Sequence, residues 1–165
     1  MKNKKNLDLE ELLVQKLHAL YDVENQLVKA LPKLARIATS QSLKEVFRNH
    51  LTETRAHVHR IKQAYKSLYS KPKRLKVEAI RGIIKDTNWL MKNVQPAAAL
   101  DSALVRAAQY AEHYEMAGYL GAIAWANTLG EKEVSKVLQK TLNEEIGADK
   151  NLEKVGRELD TAFLN

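Results

Sequence analysis

The stretch "LVQKLHALYDVENQLVKALPKL", residues 13–34, carries a leucine at nearly every position of a stripe spaced by four and three residues. This spacing places the side chains on one face of an α-helix and predicts that the face is buried in a core. A single acid, Glu24, interrupts the stripe midway between its ends. The stretch therefore predicts a core helix that directs one carboxylate into the core.

The same period recurs along most of the chain and predicts four long helices, over residues 7–38, 42–69, 99–129 and 131–161. A shorter amphipathic helix is predicted over residues 77–92. The connections within the first and the last pair are very short, so each pair should form an antiparallel hairpin. No segment has the pattern of a strand. We therefore predict an all-α fold of one domain, residues 1–165: a four-helix bundle of two hairpins, with the extra helix in the long crossover.

Residues at the helix ends indicate where the helices begin and end. Asn6 is expected to cap the first helix, and Ser42 with Glu45 to form a capping box on the second. Pro32 should kink or interrupt the first helix. Gly130 should end the helix over residues 99–129.

The composition excludes several classes of protein. The 165 residues include no cysteine, which excludes disulfides, thiolate metal sites and thiol catalysis. No apolar run approaches the roughly 20 residues of a membrane span, and the N-terminus has no apolar signal core. We expect a cytoplasmic protein without membrane contact.

Two basic segments account for the net charge of +7. They are a tail, residues 1–6, and a loop, residues 70–76, with the basic residues Lys2, Lys4, Lys5, Lys71, Lys73, Arg74 and Lys76. Such segments are solvated surface in most proteins, and weak contact with nucleic acid is the alternative.

Acids also occupy the middle of the other three stripes, where each stripe is otherwise apolar. The polar members are Glu53 and His57, Glu112 and Glu115, and Glu145 and Asp149. Mid-helix positions of an antiparallel bundle lie at one level, so these side chains should converge with Glu24. Glu144 is an alternative to Glu145. His50, a turn away from the acidic level, and His113, rotated off the face, are expected to lie outside the site.

The clustering of acids predicts a metal site. A buried unpaired charge costs several kcal/mol, and clustered acids also repel one another. No lysine or arginine of the four stripes lies at this level. Carboxylates with one or two imidazoles suit iron or manganese, and zinc less specifically. Two such ions would balance most of the charge of the clustered acids. One acid in a stripe, such as Glu24 considered alone, would instead indicate a residue at the boundary of the core.

Four stretches carry a resemblance to a known family: "LYDVENQLVKALPKLA" (20–35), "HLTETRAHVHRI" (50–61), "AAQYAEHYEMAGY" (107–119) and "TLNEEIGADKNL" (141–152). They resemble the YciE/YciF-like family within the ferritin-like, rubrerythrin-related di-iron carboxylate proteins. The resemblance implies a ferritin-like bundle, a role in bacterial stress responses and a homodimer. It also implies carboxylate ligands at Glu24, Glu53, Glu112, Glu115 and Glu145.

The chain departs from the family pattern at two positions. Glu53 and His57 are separated by one residue more than is usual, and Asp149 stands where a histidine is expected. A site poorer in histidine would hold iron more weakly, prefer manganese or be empty as purified.

Three functions follow from these residues. The first is a dimetal protein that acts on oxygen or peroxide. Glu53 and Glu145 would bridge the metals, and Glu115 would shift between them. Tyr21, Tyr114 or Tyr119 would be hydrogen-bond or redox partners outside the ligands. The second is iron binding or storage without catalysis. The third is a non-catalytic stress protein that binds nucleic acid or a protein partner and has a vestigial metal site. A hydrolase is the weakest option, because no G-x-S-x-G motif occurs.

Overall fold

Five α-helices form the regular structure of residues 7–73 and 75–161, the part of the chain that the computed structural model describes. They are α1 (Leu9–Ile37), α2 (Gln41–Ser67), α3 (Glu78–Asn93), α4 (Ala97–Leu129) and α5 (Lys132–Thr161). The described ranges contain no strand, which confirms the predicted all-α class. None of these helices combines the length and the hydropathy needed to cross a membrane.

The four long helices enclose a common core. α1 packs against α2, and α4 against α5, after short turns that reverse the chain. α2 also contacts α5, and α1 contacts α4, so each long helix has two long neighbours. α3 lies outside this set and packs against α4 and α1. The structure thus has the predicted two hairpins with an extra helix in the crossover.

The caps of α1 and α2 are not the predicted residues. Asp8 caps α1: its carboxylate accepts a hydrogen bond from the Glu11 N–H at 2.8 Å, and the Glu11 carboxylate accepts one from the Asp8 N–H at 3.2 Å. The predicted cap, Asn6, lies outside the described residues. At α2 the cap is Ser40 rather than Ser42, because the Ser40 hydroxyl accepts from the backbone of the first turn.

One of the two predicted helix-breaking positions ends its helix and the other does not. α1 runs through Pro32, so the predicted interruption is wrong, while the predicted kink stays a prediction. Burial of the leucine stripe on both sides outweighs the lost hydrogen bond. Gly130 ends α4 as predicted. Its φ of 77° lies in the left-handed region, which costs glycine little.

The turn between α1 and α2 is fixed by a side chain from α4. Asp101, 1% exposed, accepts hydrogen bonds from the backbone N–H groups of Thr39 at 2.9 Å and Ser40 at 2.6 Å. The Thr39 hydroxyl donates to the same carboxylate at 2.7 Å. This contact joins the two hairpins at one end of the bundle.

The core consists of two apolar clusters separated by a polar layer. One cluster is built around Leu27, Phe47, Leu104 and Leu152, and the other around Leu17, Ile61, Tyr65, Ala122 and Leu138. Between these clusters, α1, α4 and α5 bury acids, and α2 buries two histidines. The predicted arrangement of apolar ends and a polar middle is therefore present.

Candidate metal centre

Six ionisable side chains make up most of the polar layer, and each is at most 5% exposed. They come from all four long helices: Glu24, His50, His57, Glu112, Glu115 and Glu145. Their ligand atoms form two groups, within each of which all atoms lie within 4.8 Å of one another. The first group is Glu24, His57 and Glu145, and the second group is His50, Glu112, Glu115 and Glu145.

Glu145 belongs to both groups and directs one oxygen to each. Its Oε1 lies 2.9 Å from Nδ1 of His57, which is also 3.4 Å from Oε2 of Glu24. Its Oε2 lies 4.0 Å from Nε2 of His50, which is 3.0 Å from Oε1 of Glu112. A carboxylate in this position can bridge two cations.

Most of the ligand atoms in the two groups lack a hydrogen bond. Both carboxylate oxygens of Glu115 are buried without a hydrogen-bond partner among the described residues. Nδ1 of His57, both ring nitrogens of His50 and both oxygens of Glu145 have no well-oriented hydrogen bond there either, and their short contacts are ion pairs with other members of the two groups or with Glu53. Leaving a buried polar group unpaired costs about 1–3 kcal/mol. Several such groups within 4.8 Å of one another have the composition of an oxygen-rich cation site. The residues therefore fit the predicted metal.

Without a cation, the cluster retains protons. Burial raises the pKa of the Glu24, Glu115 and Glu145 carboxyls, and for Glu115 the neighbouring acids raise it further. Burial lowers the pKa of His57, but the adjacent Glu145 and Glu24 outweigh it and raise that pKa to about 10. For His50, burial likewise lowers the pKa, but Glu112 and the other neighbouring acids outweigh it and raise the pKa well above its usual value. A cation would displace these protons.

His57 is oriented by a layer of residues outside the two groups. Its Nε2 is 2.9 Å from Oε2 of Glu144 and donates to it, and Arg60 donates to both oxygens of Glu144 at 2.6 and 2.8 Å. Burial raises the pKa of Glu144, but the bonds from Arg60 and His57 outweigh it and lower that pKa. Nδ1 of His57 is thereby left facing the cluster, as in histidine ligands held by a carboxylate. Glu144, the alternative to Glu145, lies in this outer layer.

The three predicted outer tyrosines have different surroundings. The Tyr119 hydroxyl, fully buried, donates a short hydrogen bond to Oε1 of Glu24. Tyr21 packs edge-on against Tyr65 at 6.4 Å between ring centroids. Tyr114 packs against the apolar cluster around Leu27. Tyr119 therefore fits the predicted outer-partner role by position.

The structure does not bring Glu53 and Asp149 into either group. The Glu53 side chain is 42% exposed, and its carboxylate is 3.7 Å from Nδ1 of His50. Asp149 accepts a hydrogen bond from Gln109 at 3.0 Å and lies 3.4 Å from His113. The other predicted ligands, Glu24, His57, Glu112, Glu115 and Glu145, do converge. Their roles as ligands stay predictions.

The predicted position of His50 outside the site is wrong. The ring is 5% exposed, and Nε2 lies among the ligand atoms of the second group. His113 is in fact outside, since its side chain is 65% exposed. The signal for His50 was its spacing of seven residues from His57, which places both rings on one face of α2.

Comparison with known proteins identifies the family of this chain. The family described as "Domain of unknown function (DUF892)" matches residues 8–165. The chain belongs to this family. Protein YciF of Escherichia coli (strain K12) is 37% identical to it over 142 residues, which is 86% of each protein.

Solved structures of relatives have the same helical architecture. The crystal structure of the E. coli stress protein YciF matches with a TM-score of 0.91 and 34% identity, over 94% of this chain and 99% of that one. YcfI of Rhodopseudomonas palustris matches with a TM-score of 0.89 and 36% identity, over 93% and 98%. A Xanthomonas campestris protein, 20% identical with a TM-score of 0.74, shares the fold. The family thus includes a stress protein.

The lysines of the basic loop are exposed on the surface. Lys71, Lys73 and Lys76 are exposed in the loop between α2 and α3, where the Lys73 N–H donates to Nδ1 of His18 at 3.3 Å. Arg74 and the tail, residues 1–6, lie outside the described residues. Contact with nucleic acid, the homodimer and the cytoplasmic location stay predictions.

Proposed function

We propose that this chain is a ferritin-like dimetal carboxylate protein, binding iron or manganese, that handles oxygen or peroxide in a bacterial stress response. One observation carries the proposal: Glu145 is shared by two groups of buried ligand atoms, most of which have no well-oriented hydrogen bond among the described residues. If these positions only had to fill the core, leucine or methionine would make the protein more stable than the acids and histidines do. Membership in a family that includes a stress protein supports the physiological setting.

The two groups would hold one ion each. Glu24 and His57 would bind the first ion, His50 and Glu112 the second, and Glu145 both, while Glu115 faces the second group. Carboxylate oxygen with imidazole nitrogen is a ligand set that suits iron and manganese. Such ions, when bound, supply the redox chemistry that reduction of oxygen or peroxide requires.

The remaining residues of the site would orient ligands and manage protons. Arg60 and Glu144 keep Nδ1 of His57 directed at the cluster. Tyr119 holds its hydroxyl proton at Oε1 of Glu24 and is a proton donor within reach of the cluster. The two apolar clusters exclude water from both ends of the polar layer. The protein therefore supplies a largely buried site with its own protons.

The test is metal content per chain. The full chain is stripped with chelator, reconstituted anaerobically with ferrous iron or with manganese, and analysed for bound metal. We expect about two ions per chain, as in dimetal sites. Glu145→Gln should lose both ions, because both groups share this residue. Glu53→Gln and Asp149→Asn, which remove the same charge outside the groups, should keep both.

The function itself is then tested by consumption of hydrogen peroxide and of oxygen. The loaded protein should consume one of them, and Glu145→Gln should not. Absence of metal under every condition, or normal loading of Glu145→Gln, would refute the dimetal centre. Full loading without consumption of either oxidant would instead favour metal binding without catalysis.

A further inference from the structure

An apolar cavity of about 210 Å³ lies between α1, α3 and α4. Its walls are mostly aliphatic and include Leu31, Ile83, Ile84, Met91, Ala107 and Ala108. The alanines of α4 leave the space open, since larger side chains there would fill it. A cavity of this composition favours an apolar occupant over water.

The inner end of the cavity reaches the candidate metal centre. His50 and Glu112 line the cavity, and they are 5% and 2% exposed. Both belong to the second group. A molecule bound in the cavity would therefore place one end beside the second group.

The opposite end of the cavity is basic. Lys29, exposed, and Lys33, half-buried, line it from successive turns of α1. Lys33 donates a hydrogen bond to the side chain of Asn88 on α3, and both side chains line the cavity. Among the residues that line the cavity the one carboxylate is Glu112, at the buried end. Two ammonium groups at the opening favour an anionic group there.

We propose that this cavity binds a medium-chain monocarboxylate, with its carboxylate at Lys29 and Lys33 and its alkyl chain between α3 and α4. At about 30 Å³ for each water-sized group, the cavity has room for roughly seven such groups, which corresponds to the chain of octanoate. In this orientation the methyl end lies beside Glu112 and His50. Binding does not require metal, so this inference can be tested separately from the proposed function.

The proposal is tested by titration calorimetry on the metal-free full chain, with octanoate, 1-octanol and acetate as probes. Octanoate should bind, 1-octanol should bind at least about fivefold more weakly, and acetate should not bind measurably. The double variant Lys29→Gln/Lys33→Gln should weaken octanoate binding at least about tenfold and leave 1-octanol unchanged. Lys136→Gln/Lys140→Gln, an exposed pair of the same spacing on α5, is the control for net charge and should change neither.

A second pair of variants locates the site. Ala30→Phe places a large side chain at the lining of the cavity and should abolish octanoate binding, whereas Ala124→Phe, on the exposed face of α4, should not. Circular dichroism confirms that both variants are folded. The proposal is overturned if 1-octanol binds as tightly as octanoate, if the two lysine pairs behave alike, or if folded Ala30→Phe binds normally. Octanoate binding without metal uptake would refute only the proposed function, and metal uptake without octanoate binding only this inference.

Discussion

Replacing Glu115 by methionine should stabilise the metal-free protein while weakening its affinity for metal. Both Glu115 oxygens are fully buried and lack hydrogen-bond partners among the described residues. Burial and three neighbouring acids raise the pKa of this carboxyl well above its usual value. An unpaired buried polar group costs about 1–3 kcal/mol, and methionine has a similar length without that cost. We therefore expect a gain of about 2 kcal/mol in the free energy of unfolding.

The assay is thermal unfolding followed by circular dichroism, in chelator and after reconstitution with manganese. A gain of about 2 kcal/mol corresponds to a rise in Tm of about 4–8 °C for a chain of this size. With metal the order should reverse, because ligand at a hundred times its Kd stabilises the wild type by about 2.7 kcal/mol. Glu158→Met, an exposed position on α5, should change the unfolding free energy by less than about 0.5 kcal/mol. A Tm of Glu115→Met at or below that of the wild type in chelator would refute the reasoning.

Three further predictions follow from the same contacts. Arg60→Met releases Glu144 and hence His57, so metal affinity should fall about 10- to 100-fold, measured by competition with a chelating dye. Metal must displace the proton of His57, whose pKa is raised to about 10. The apparent metal affinity should therefore rise about tenfold per pH unit, for each displaced proton, between pH 6 and 8. Calorimetry in two buffers measures the released protons. Asp101→Ala leaves the backbone N–H groups of the α1–α2 turn unpaired and should lower the unfolding free energy by about 3 kcal/mol in urea denaturation.

Each of these has a clear contrary result. Unchanged metal affinity in Arg60→Met would show that His57 needs no outer support. Metal binding that releases no protons would contradict the raised pKa of the histidine. An Asp101→Ala variant as stable as the wild type would mean that water replaces the lost carboxylate at the turn.

The fold was largely predictable because its main signal is long and regular. The stripe of residues 13–34 is apolar at every position except Glu24, and α1 buries all of these positions. Helix ends were less predictable, since Asp8 and Asn6, or Ser40 and Ser42, are equivalent candidates by residue type. The interruption predicted at Pro32 was wrong because the local propensity was weighed without the burial on either side of it.

The positions of Glu53 and Asp149 outside the two groups have a common cause, because a helical stripe can continue at either the third or the fourth following residue. After His50, the buried position is Thr54, 0% exposed, rather than Glu53. After Glu145, it is Ala148, 4% exposed, rather than Asp149. Both steps satisfy a helical period, and packing against the neighbouring helix decides between them. Residue chemistry favoured the acids in both cases, whereas the structure buries the small side chains.

α3 buries few side chains, and this affects how fast a molecule can enter and leave the cavity. Ile80 and Thr87 are its buried side chains, so it makes a smaller contribution to the core than any of the four long helices. Segments with few buried contacts open locally at a free energy below that of global unfolding. Opening of α3 removes one wall of the cavity while α1, α2, α4 and α5 keep their mutual contacts. The time that a molecule in the cavity spends beside the second group is then set by how often α3 opens.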